Sequence, residues 1–140
     1  MSALPPGYDL RDGADPIAAH AALTESYWAK GITLEQVRRS FAPSLLVSVW
    51  NAGQQVGMAR VLTDHVTFAY LHDVYVLPEH QGKGLAQALL AHLHGRDDLQ
   101  GIARWALFTK DAQSLYAKFG WREYPWPERM MIIDPKMFPA

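Results

Sequence analysis

The sequence predicts a domain of the α/β class in its broad sense, with mixed α and β elements (α+β). About four helices flank a mostly antiparallel central sheet. Three observations carry this prediction. Helical and strand-like segments alternate along the 140 residues, three strand-like segments are separated by turns of hairpin length, and a glycine-rich turn leads directly into a leucine-rich helix. With 49% hydrophobic residues and no linker or low-complexity block, the chain has the composition of a single domain over residues 1–140.

Two short helices are predicted before the sheet. The first begins with Asp15 as N-cap and Pro16 at the first helical position, and continues to about Gly31. The second begins with a capping box formed by Thr33 and Gln36. The helical period predicts one apolar face on the first helix, made of Ile17, Ala21, Thr24 and Trp28.

The centre of the chain predicts an antiparallel meander followed by a helix. The strand-like segments 45–51, 55–63 and 66–76 are joined by short turns, which suit hairpins. A glycine-rich turn follows, and leucines recurring every four residues predict a helix over residues 83–94.

The C-terminal third predicts one more helix between two strands. The apolar segment 104–109 predicts a strand, and 129–134 predicts a strand that closes the sheet. Between them, Asp111 is expected to cap a helix that ends at Gly120.

Composition excludes several classes of function. Thirteen basic and fourteen acidic side chains give a net charge of −1, so the chain has no overall field that would attract nucleic acid or anionic lipid. The absence of cysteine excludes a disulfide framework, a thiolate metal site and a cysteine nucleophile. His92 and His94 lie two apart on a helix and point in different directions, so no metal site is expected. Without a signal-peptide pattern or a long apolar run, we expect a soluble cytoplasmic protein that binds neither nucleic acid nor membrane.

The turn before the predicted helix 83–94 has the properties of an anion site. A helix N-terminus leaves unpaired N–H groups and a partial positive charge, which attract phosphate. Glycines at 82 and 84 can adopt positive φ and let phosphate oxygens approach the amides, and Lys83 adds a cation. A Walker A loop is disfavoured because Lys83 is followed by Gly84, and a dinucleotide fingerprint is disfavoured because the preceding strands form hairpins.

Two motifs resemble the GNAT superfamily of N-acetyltransferases. Gln81–Ala86 matches the acetyl-CoA signature Q/R-x-x-G-x-G/A, and the later stretch AQSLYAKFGW is similar to A-x-x-L-Y-x-x-x-G-F, with Trp121 in place of Phe. The resemblance covers essentially the whole chain. It implies a GNAT fold whose fourth and fifth strands, here 66–76 and 104–109, run parallel and splay apart. It also implies transfer of an acetyl group from acetyl-CoA to a primary amine by direct attack in a ternary complex, and a possible homodimer.

The resemblance also implies how the cofactor is held. Backbone groups of Val74 and Val76 would pair with the pantetheine arm as an added strand. Thr109 stands where many members of the superfamily have Asn, which leaves the pantetheine contact at that position open. The pyrophosphate would be held in the loop formed by Gln81, Gly82, Lys83, Gly84, Leu85, Ala86 and Gln87.

Three residues are the catalytic candidates. Tyr116 matches the tyrosine of the later motif, and a neutral phenol can donate a proton to the leaving thiolate; the alternative is a core residue on an apolar helix face. His72 and Asp73 are candidates for removing the amine proton, directly or through water. Because successive strand side chains point to opposite faces, only a bulge would let both face the site. Alternatively, His72 is a satisfied surface residue and Asp73 bonds to nearby backbone amides.

The acceptor is left open by the sequence. In the family layout, residues 25–40 would form the wall opposite the cofactor, and their aromatic and acidic side chains suit an amine with an apolar body. A small amine, an amino-acid derivative, a polyamine and a peptide N-terminus all remain possible acceptors. Two other functions also remain, a catalytically silent acyl-CoA sensor and an anion-binding interaction module.

Overall fold

A computed structural model describes residues 4–139 and contains a five-stranded sheet in the order β1-β2-β3-β4-β5. The chain divides into two compact units, one ending at Thr109 and the other beginning at Lys110. The strands, all in the first unit, are β1 (Tyr8–Asp12), β2 (Leu45–Asn51), β3 (Gln54–Thr63), β4 (Ala69–Val76) and β5 (Trp105–Ala106). The helices are α1 (Pro16–Leu23), α2 (Leu34–Phe41) and α3 (Leu85–His94) in the first unit and α4 (Gln113–Ala117) in the second. A single domain over residues 1–140 stays a prediction.

The first helix starts where the sequence predicts but ends early. Asp15 is the N-cap of α1, and its side chain accepts a hydrogen bond from the Ile17 amide at 3.0 Å. The helix stops at Leu23 rather than Gly31, because the Ser26 hydroxyl donates to the Leu23 carbonyl and competes with the helical hydrogen bonds. The predicted apolar face is also wrong, since Ile17 is 59% exposed and the buried residues of α1 are Ala19 and Leu23.

The second helix confirms its predicted start and fastens both helices to the sheet. Thr33 Oγ1 accepts from the Gln36 amide, and Gln36 Oε1 accepts from the Thr33 amide, which completes the capping box. Val37 and Phe41 are buried, and they form one apolar cluster with α1 and with Met58 of β3. Helix α3 packs on the central strands β2, β3 and β4.

The meander is confirmed, with one displaced start. β2 occupies the predicted residues and pairs antiparallel with β3, which pairs antiparallel with β4. β4 begins at Ala69 rather than at Val66. The Asp64 carboxylate accepts hydrogen bonds from the amides of residues 66, 67 and 68, and this turn delays the strand.

The edge strand β1 was not predicted. It pairs antiparallel with β2, from Tyr8 opposite Asn51 to Asp12 opposite Val47. The segment YDLRD is too short and polar to show the period of a half-buried strand.

The predicted parallel pair is present, and its strands diverge. β5 pairs with β4 at only two positions, Ala69 opposite Trp105 and Tyr70 opposite Ala106. β4 then continues through residues 71–76 without β5. The edge of β4 over residues 71–76 therefore has no strand partner on the β5 side within residues 4–139.

The second unit differs from the sequence prediction at both of its elements. The N-cap of α4 is Ala112 rather than Asp111, and no side chain caps the helix. The predicted strand over residues 129–134 is absent: Pro127–Arg129 forms a 3-10 turn, and Met131 and Ile133 are almost fully exposed. Apolar content favours a strand only where a neighbouring strand offers hydrogen bonds, and these residues pair with none of the strands in residues 4–139.

Candidate active site

A β-bulge in β4 brings His72 and Asp73 together. Met58 pairs with Tyr75 and Arg60 pairs with His72, so one residue of β3 lies opposite two residues of β4. Asp73 adopts a positive φ of 55°, a conformation that Asp tolerates better than most residues. The bulge breaks the strand alternation, and His72 Nε2 lies 3.5 Å from Asp73 Oδ1. The bulge that sequence reasoning required is therefore present.

Both oxygens of the Asp73 carboxylate accept hydrogen bonds. Arg60 Nε donates to Oδ2 at 2.8 Å, and Trp28 Nε1 donates to Oδ1 at 2.9 Å. The Arg60 and Asp73 side chains are only 7% and 5% exposed, so this is a buried ion pair. Asp73 accordingly neutralises Arg60 and ties the α1–α2 connection to the bulge through Trp28.

The imidazole of His72 is held in one tautomer. Arg60 Nη2 lies 2.9 Å from His72 Nδ1, and because a guanidinium can only donate, Nδ1 is the acceptor and the proton of the neutral ring is on Nε2. Burial is the main cause that lowers the pKa of His72 below its ordinary 6.5; the Asp73 carboxylate opposes this shift, and the Arg60 charge adds to it. His72 is therefore a neutral ring whose lone pair is already engaged.

Sequence reasoning missed two residues of this cluster in their present roles. Arg60 joins Asp73, His72 and, through Nη1, the Ser44 hydroxyl at 3.2 Å. Trp28 was expected on a helix face, not on a carboxylate. A signal for Arg60 was available, because a single charge inside the apolar strand QVGMARVLT requires a buried partner.

The backbone of β4 presents groups to its edge on the β5 side. The Leu77 amide donates to the Val56 carbonyl of β3 at 2.8 Å, so Leu77 faces β3. Val74 lies in the bulge, where strand alternation is broken. Between Leu77 and Val76 the alternation is regular, so the N–H and C=O groups of Val76 point to the opposite edge, which β5 does not pair with. This is the direction that the predicted pantetheine contact requires.

Gln81 contacts that edge with its side chain. Its Nε2 donates to the Val76 carbonyl at 2.9 Å, which ties the loop to the end of β4. A ligand strand would share this carbonyl or displace Gln81 from it.

The glycine loop has the predicted backbone. Gly82 and Gly84 have φ values of 76° and 77°, and a Cβ on either would meet no atom within 4 Å. Gly84 is the N-cap of α3, which begins at Leu85 rather than Lys83 because a left-handed residue cannot continue a helix. The Leu85 side chain is buried and anchors the helix, so this residue offers its amide alone. Of the remaining loop residues, the exposed one is Lys83 and the half-buried ones are Ala86 and Gln87.

Tyr116 lies on α4 in the second unit. It is buried, and its ring packs edge to face on Trp121 with centroids 6.0 Å apart. Tyr116 and Trp121, which stand at the two aromatic positions of the later motif's pattern, therefore contact each other, and the acid role of Tyr116 stays a prediction.

Two further properties concern residues 4–139. No group of three or more histidine or acidic side chains there is placed to hold a metal ion. None of the helices in this range is both long enough and apolar enough to cross a membrane.

The family model of the acetyltransferase (GNAT) domain matches residues 43–123, which is more than half of the chain. The chain belongs to the GNAT acetyltransferases. Among solved structures, a GNAT-family protein of Xanthomonas campestris is 36% identical, covers 99% of this chain and 100% of its own, and superposes with a TM-score of 0.89. An acetyltransferase of Clostridium acetobutylicum, crystallised with acetyl-CoA, shares the fold at a TM-score of 0.70, with 15% identity over 95% of this chain and 99% of its own.

Two curated relatives agree with this family. A Gibberella zeae protein named for the acetyltransferases is 45% identical over 75 residues, which is 51% of this chain and 41% of that protein. The chloroplastic GCN5-related N-acetyltransferase 2 of Arabidopsis thaliana is 33% identical over 123 residues, which is 83% of this chain and 46% of that protein. This GNAT chain thus spans less than half the length of the curated relatives it matches.

Proposed function

We propose that this GNAT protein is an acetyl-CoA-dependent N-acetyltransferase that acetylates a primary amine by direct attack in a ternary complex. One observation carries the proposal: a glycine loop in left-handed conformation begins α3 beside the edge of β4 from which β5 has diverged. That combination supplies amides for a diphosphate and a strand edge for an extended amide-bearing arm. The fold relative crystallised with acetyl-CoA supports the choice of co-substrate.

Holding the co-substrate is assigned to backbone groups. Amides of residues 82–87 take the pyrophosphate, with Lys83 as the neighbouring cation, and backbone groups of Val74 and Val76 pair with the pantetheine arm. Gln81 acts on the Val76 carbonyl and closes the loop against β4. Because these contacts use mainly backbone groups, the loop needs few polar side chains for binding.

Removal of the amine proton is assigned to solvent, in surroundings set by the cluster at the bulge. The Arg60 and Asp73 charges cancel, and His72 is neutral with its lone pair on Arg60, so no net anion stabilises an ammonium there. Loss of water around the amine lowers its pKa, and the proton passes to a water molecule. In this proposal, His72 and Asp73 fix the shape and the charge balance of the site, and neither acts as a general base.

The transfer itself needs one donor for the oxyanion and one for the thiolate. The amine nitrogen attacks the acetyl carbonyl carbon, and the Val74 N–H meets the oxygen as charge develops. Collapse of the intermediate breaks the C–S bond, and Tyr116 protonates the leaving thiolate. A phenol of pKa about 10 can transiently donate a proton to a thiolate whose thiol has a pKa of about 8.5. The nitrogen that attacked loses its second proton to solvent as the amide forms, and the Tyr116 phenolate regains a proton from solvent.

Calorimetry and thiol release test the proposal together. Gly84→Asp places a carboxylate and a Cβ at the N-terminus of α3 and should weaken coenzyme A binding at least tenfold. Gly101→Asp is the matched control, because Gly101 also has a positive φ, of 74°, and open space around a Cβ. Equal loss of binding in both variants, or no heat with the unmodified protein, refutes the cofactor site.

Binding without turnover would favour the sensor function instead. The unmodified protein is therefore mixed with acetyl-CoA and a panel of primary amines, with free thiol as the readout. Coenzyme A binding without thiol release from any amine overturns the enzyme assignment. A cytoplasmic location and a homodimer stay predictions from the sequence.

A further inference from the structure

Large apolar side chains are exposed close together near the end of the second unit. Met131 and Ile133 are 93% and 98% exposed, and four neighbours are between 46% and 65% exposed. The whole set is Met130, Met131, Ile132, Ile133, Met137 and Phe138. We call residues 130–138 the C-terminal apolar segment. An exposed apolar patch of this kind marks an interaction site.

The backbone at the start of the C-terminal apolar segment is extended. Met130 has φ −98° and ψ 133°, which are strand values. From Met130 to Ile133, exposure alternates between about one half and nearly complete, which is the period of a strand. Pro127 and Pro135 bound this stretch, and proline cannot donate to a ladder. Residues 130–134 therefore have the form of one short strand.

This short strand has free hydrogen-bonding groups. The N–H and C=O groups of residues 131–133 make no hydrogen bond to any part of the described chain, residues 4–139. An extended segment with unpaired N–H and C=O groups is a template on which another strand can pair. The most economical occupant of such an edge is therefore a second strand.

The size of the exposed surface matches one half of a protein–protein interface. The six exposures together equal about four fully exposed residues, and at about 200 Å² for each this is about 800 Å² per chain. The largest apolar patch on a typical monomer is about 300–600 Å², whereas a stable interface buries about 800 Å² on each partner. Two chains that cover this segment on each other would bury enough surface for a stable dimer.

The charges around the segment fit a second copy of the chain. Glu128 and Lys136 have opposite signs and lie four residues before and after Ile132. A two-fold antiparallel pairing centred on Ile132 therefore brings Glu128 of each copy towards Lys136 of the other. A pairing centred on Met131 would instead bring Glu128 towards Asp134 of the other copy, and like charges across strands are destabilising.

We propose that the C-terminal apolar segment is a homodimer interface, in which residues 130–134 of two chains pair as antiparallel strands centred on Ile132. In this register Ile132 lies opposite its own copy, and Met131 lies opposite Ile133. Opposite residues share one face of the pair, so the most exposed side chains of both copies come together. The pairing supplies hydrogen-bond partners for backbone groups that have none within residues 4–139. It does not depend on the acetyltransferase reaction.

The first test measures the oligomeric state of the full chain. Sedimentation over about 1–100 µM protein should show a dimer whose share rises with concentration. Met131→Lys and Ile133→Lys each put a charge into the paired face, and each should raise the Kd of the dimer at least about 100-fold. Val66→Lys is the control, because Val66 is an exposed apolar residue of the first unit. A monomer at every concentration, or a dimer that both lysine variants leave intact, overturns the proposal.

Urea unfolding at a concentration where the chain is monomeric separates a second copy from the chain itself as occupant. Met131 and Ile133 are almost fully exposed in one chain, so the two lysine variants should unfold with the free energy of the unmodified monomer. A loss of stability in both variants would mean that the segment packs on its own chain, and the proposal fails.

Cysteine cross-linking tests the register, since the chain has no cysteine of its own. Ile132→Cys places two thiols on directly opposite residues, whereas the thiols of Ile133→Cys lie two positions apart along the strands. Ile133 is the more exposed residue, so chance collisions would favour its cross-link. Under mild oxidation, Ile132→Cys should form a linked dimer at least about tenfold faster. Equal rates, or faster linking of Ile133→Cys, overturn the proposed pairing.

Discussion

Replacing Asp73 by Asn should strongly destabilise the protein, and the structure fixes the reason. The substitution keeps the side-chain shape, and Asn tolerates the positive φ of 55° at this position, so no backbone strain is added. What changes is the partner of two donors, one in a buried ion pair with Arg60 and one in a part-buried hydrogen bond from Trp28. Arg60 Nε and Trp28 Nε1 each point at one carboxylate oxygen, and an amide has only one oxygen to offer.

The expected magnitude follows from those two contacts. Removing one partner of a buried ion pair costs about 3–5 kcal/mol, and both side chains here are less than a tenth exposed. An amide NH₂ group facing a second donor adds to the cost; a buried donor without a partner costs about 1–3 kcal/mol, and the part-buried Trp28 hydrogen bond lies at the low end of that range. We therefore expect the free energy of unfolding to fall by about 4 kcal/mol.

A double-mutant cycle isolates the donor conflict. Trp28→Phe removes the indole N–H, so Asp73→Asn in that background can turn its oxygen to Arg60 and its NH₂ to a site without a donor. The double variant should be more stable than the sum of the single effects by about 1–2 kcal/mol. Urea unfolding of all four proteins gives the free energies.

Two results would refute this reasoning. A loss below about 1 kcal/mol in Asp73→Asn would mean that the ion pair is not buried in solution. Single effects that add within about 0.5 kcal/mol would mean that Trp28 and Arg60 do not share the carboxylate.

Three further predictions concern other parts of the chain. Gly57→Ala should lower the free energy of unfolding by about 1–3 kcal/mol, because a Cβ there would lie 2.7 Å from the Tyr75 carbonyl oxygen; an unchanged melting temperature would contradict this. The folded-state pKa of His72 lies below the unfolded value of 6.5. Protonation therefore favours the unfolded state, and the protein loses stability as pH falls from 6.5 through the folded pKa. Between pH 7.5 and pH 5, the free energy of unfolding should therefore fall less in His72→Asn than in the unmodified protein. An equal fall in both proteins, measured by urea unfolding at each pH, would contradict this. Tyr116→Phe should lower kcat at least tenfold with coenzyme A affinity unchanged, and full activity in thiol release would exclude it as the acid.

Features set by contacts within a few residues were predictable from the sequence. The N-cap at Asp15, the capping box of Thr33 and Gln36, and the left-handed glycines of the loop all depend on local backbone and side-chain geometry. The meander was predictable for the same reason, since hairpins join neighbouring segments.

Features set by distant partners were not predictable in this way, and neither were two turns set by local side-chain hydrogen bonds. β1 is a strand because β2 offers it an edge, and residues 129–134 are not a strand although they are apolar. α1 ends early and β4 starts late because Ser26 and Asp64 divert nearby backbone groups into turns. Those last two interactions are local, but the helical and strand periods that sequence reasoning follows do not register them.

The same distinction between local and tertiary features applies to the candidate site. The residue order alone predicted an anion-binding loop, because glycine conformation and a helix N-terminus belong to one short segment. The same order named His72 and Asp73 as candidates for removing the amine proton, and that role stays a prediction. The bulge, the Arg60 ion pair and the Trp28 hydrogen bond come from segments up to 45 residues apart, and they place both candidate bases in one hydrogen-bonded cluster with a buried ion pair. Proton affinity depends on which charges and donors surround a group in space, and chain folding alone brings those neighbours together.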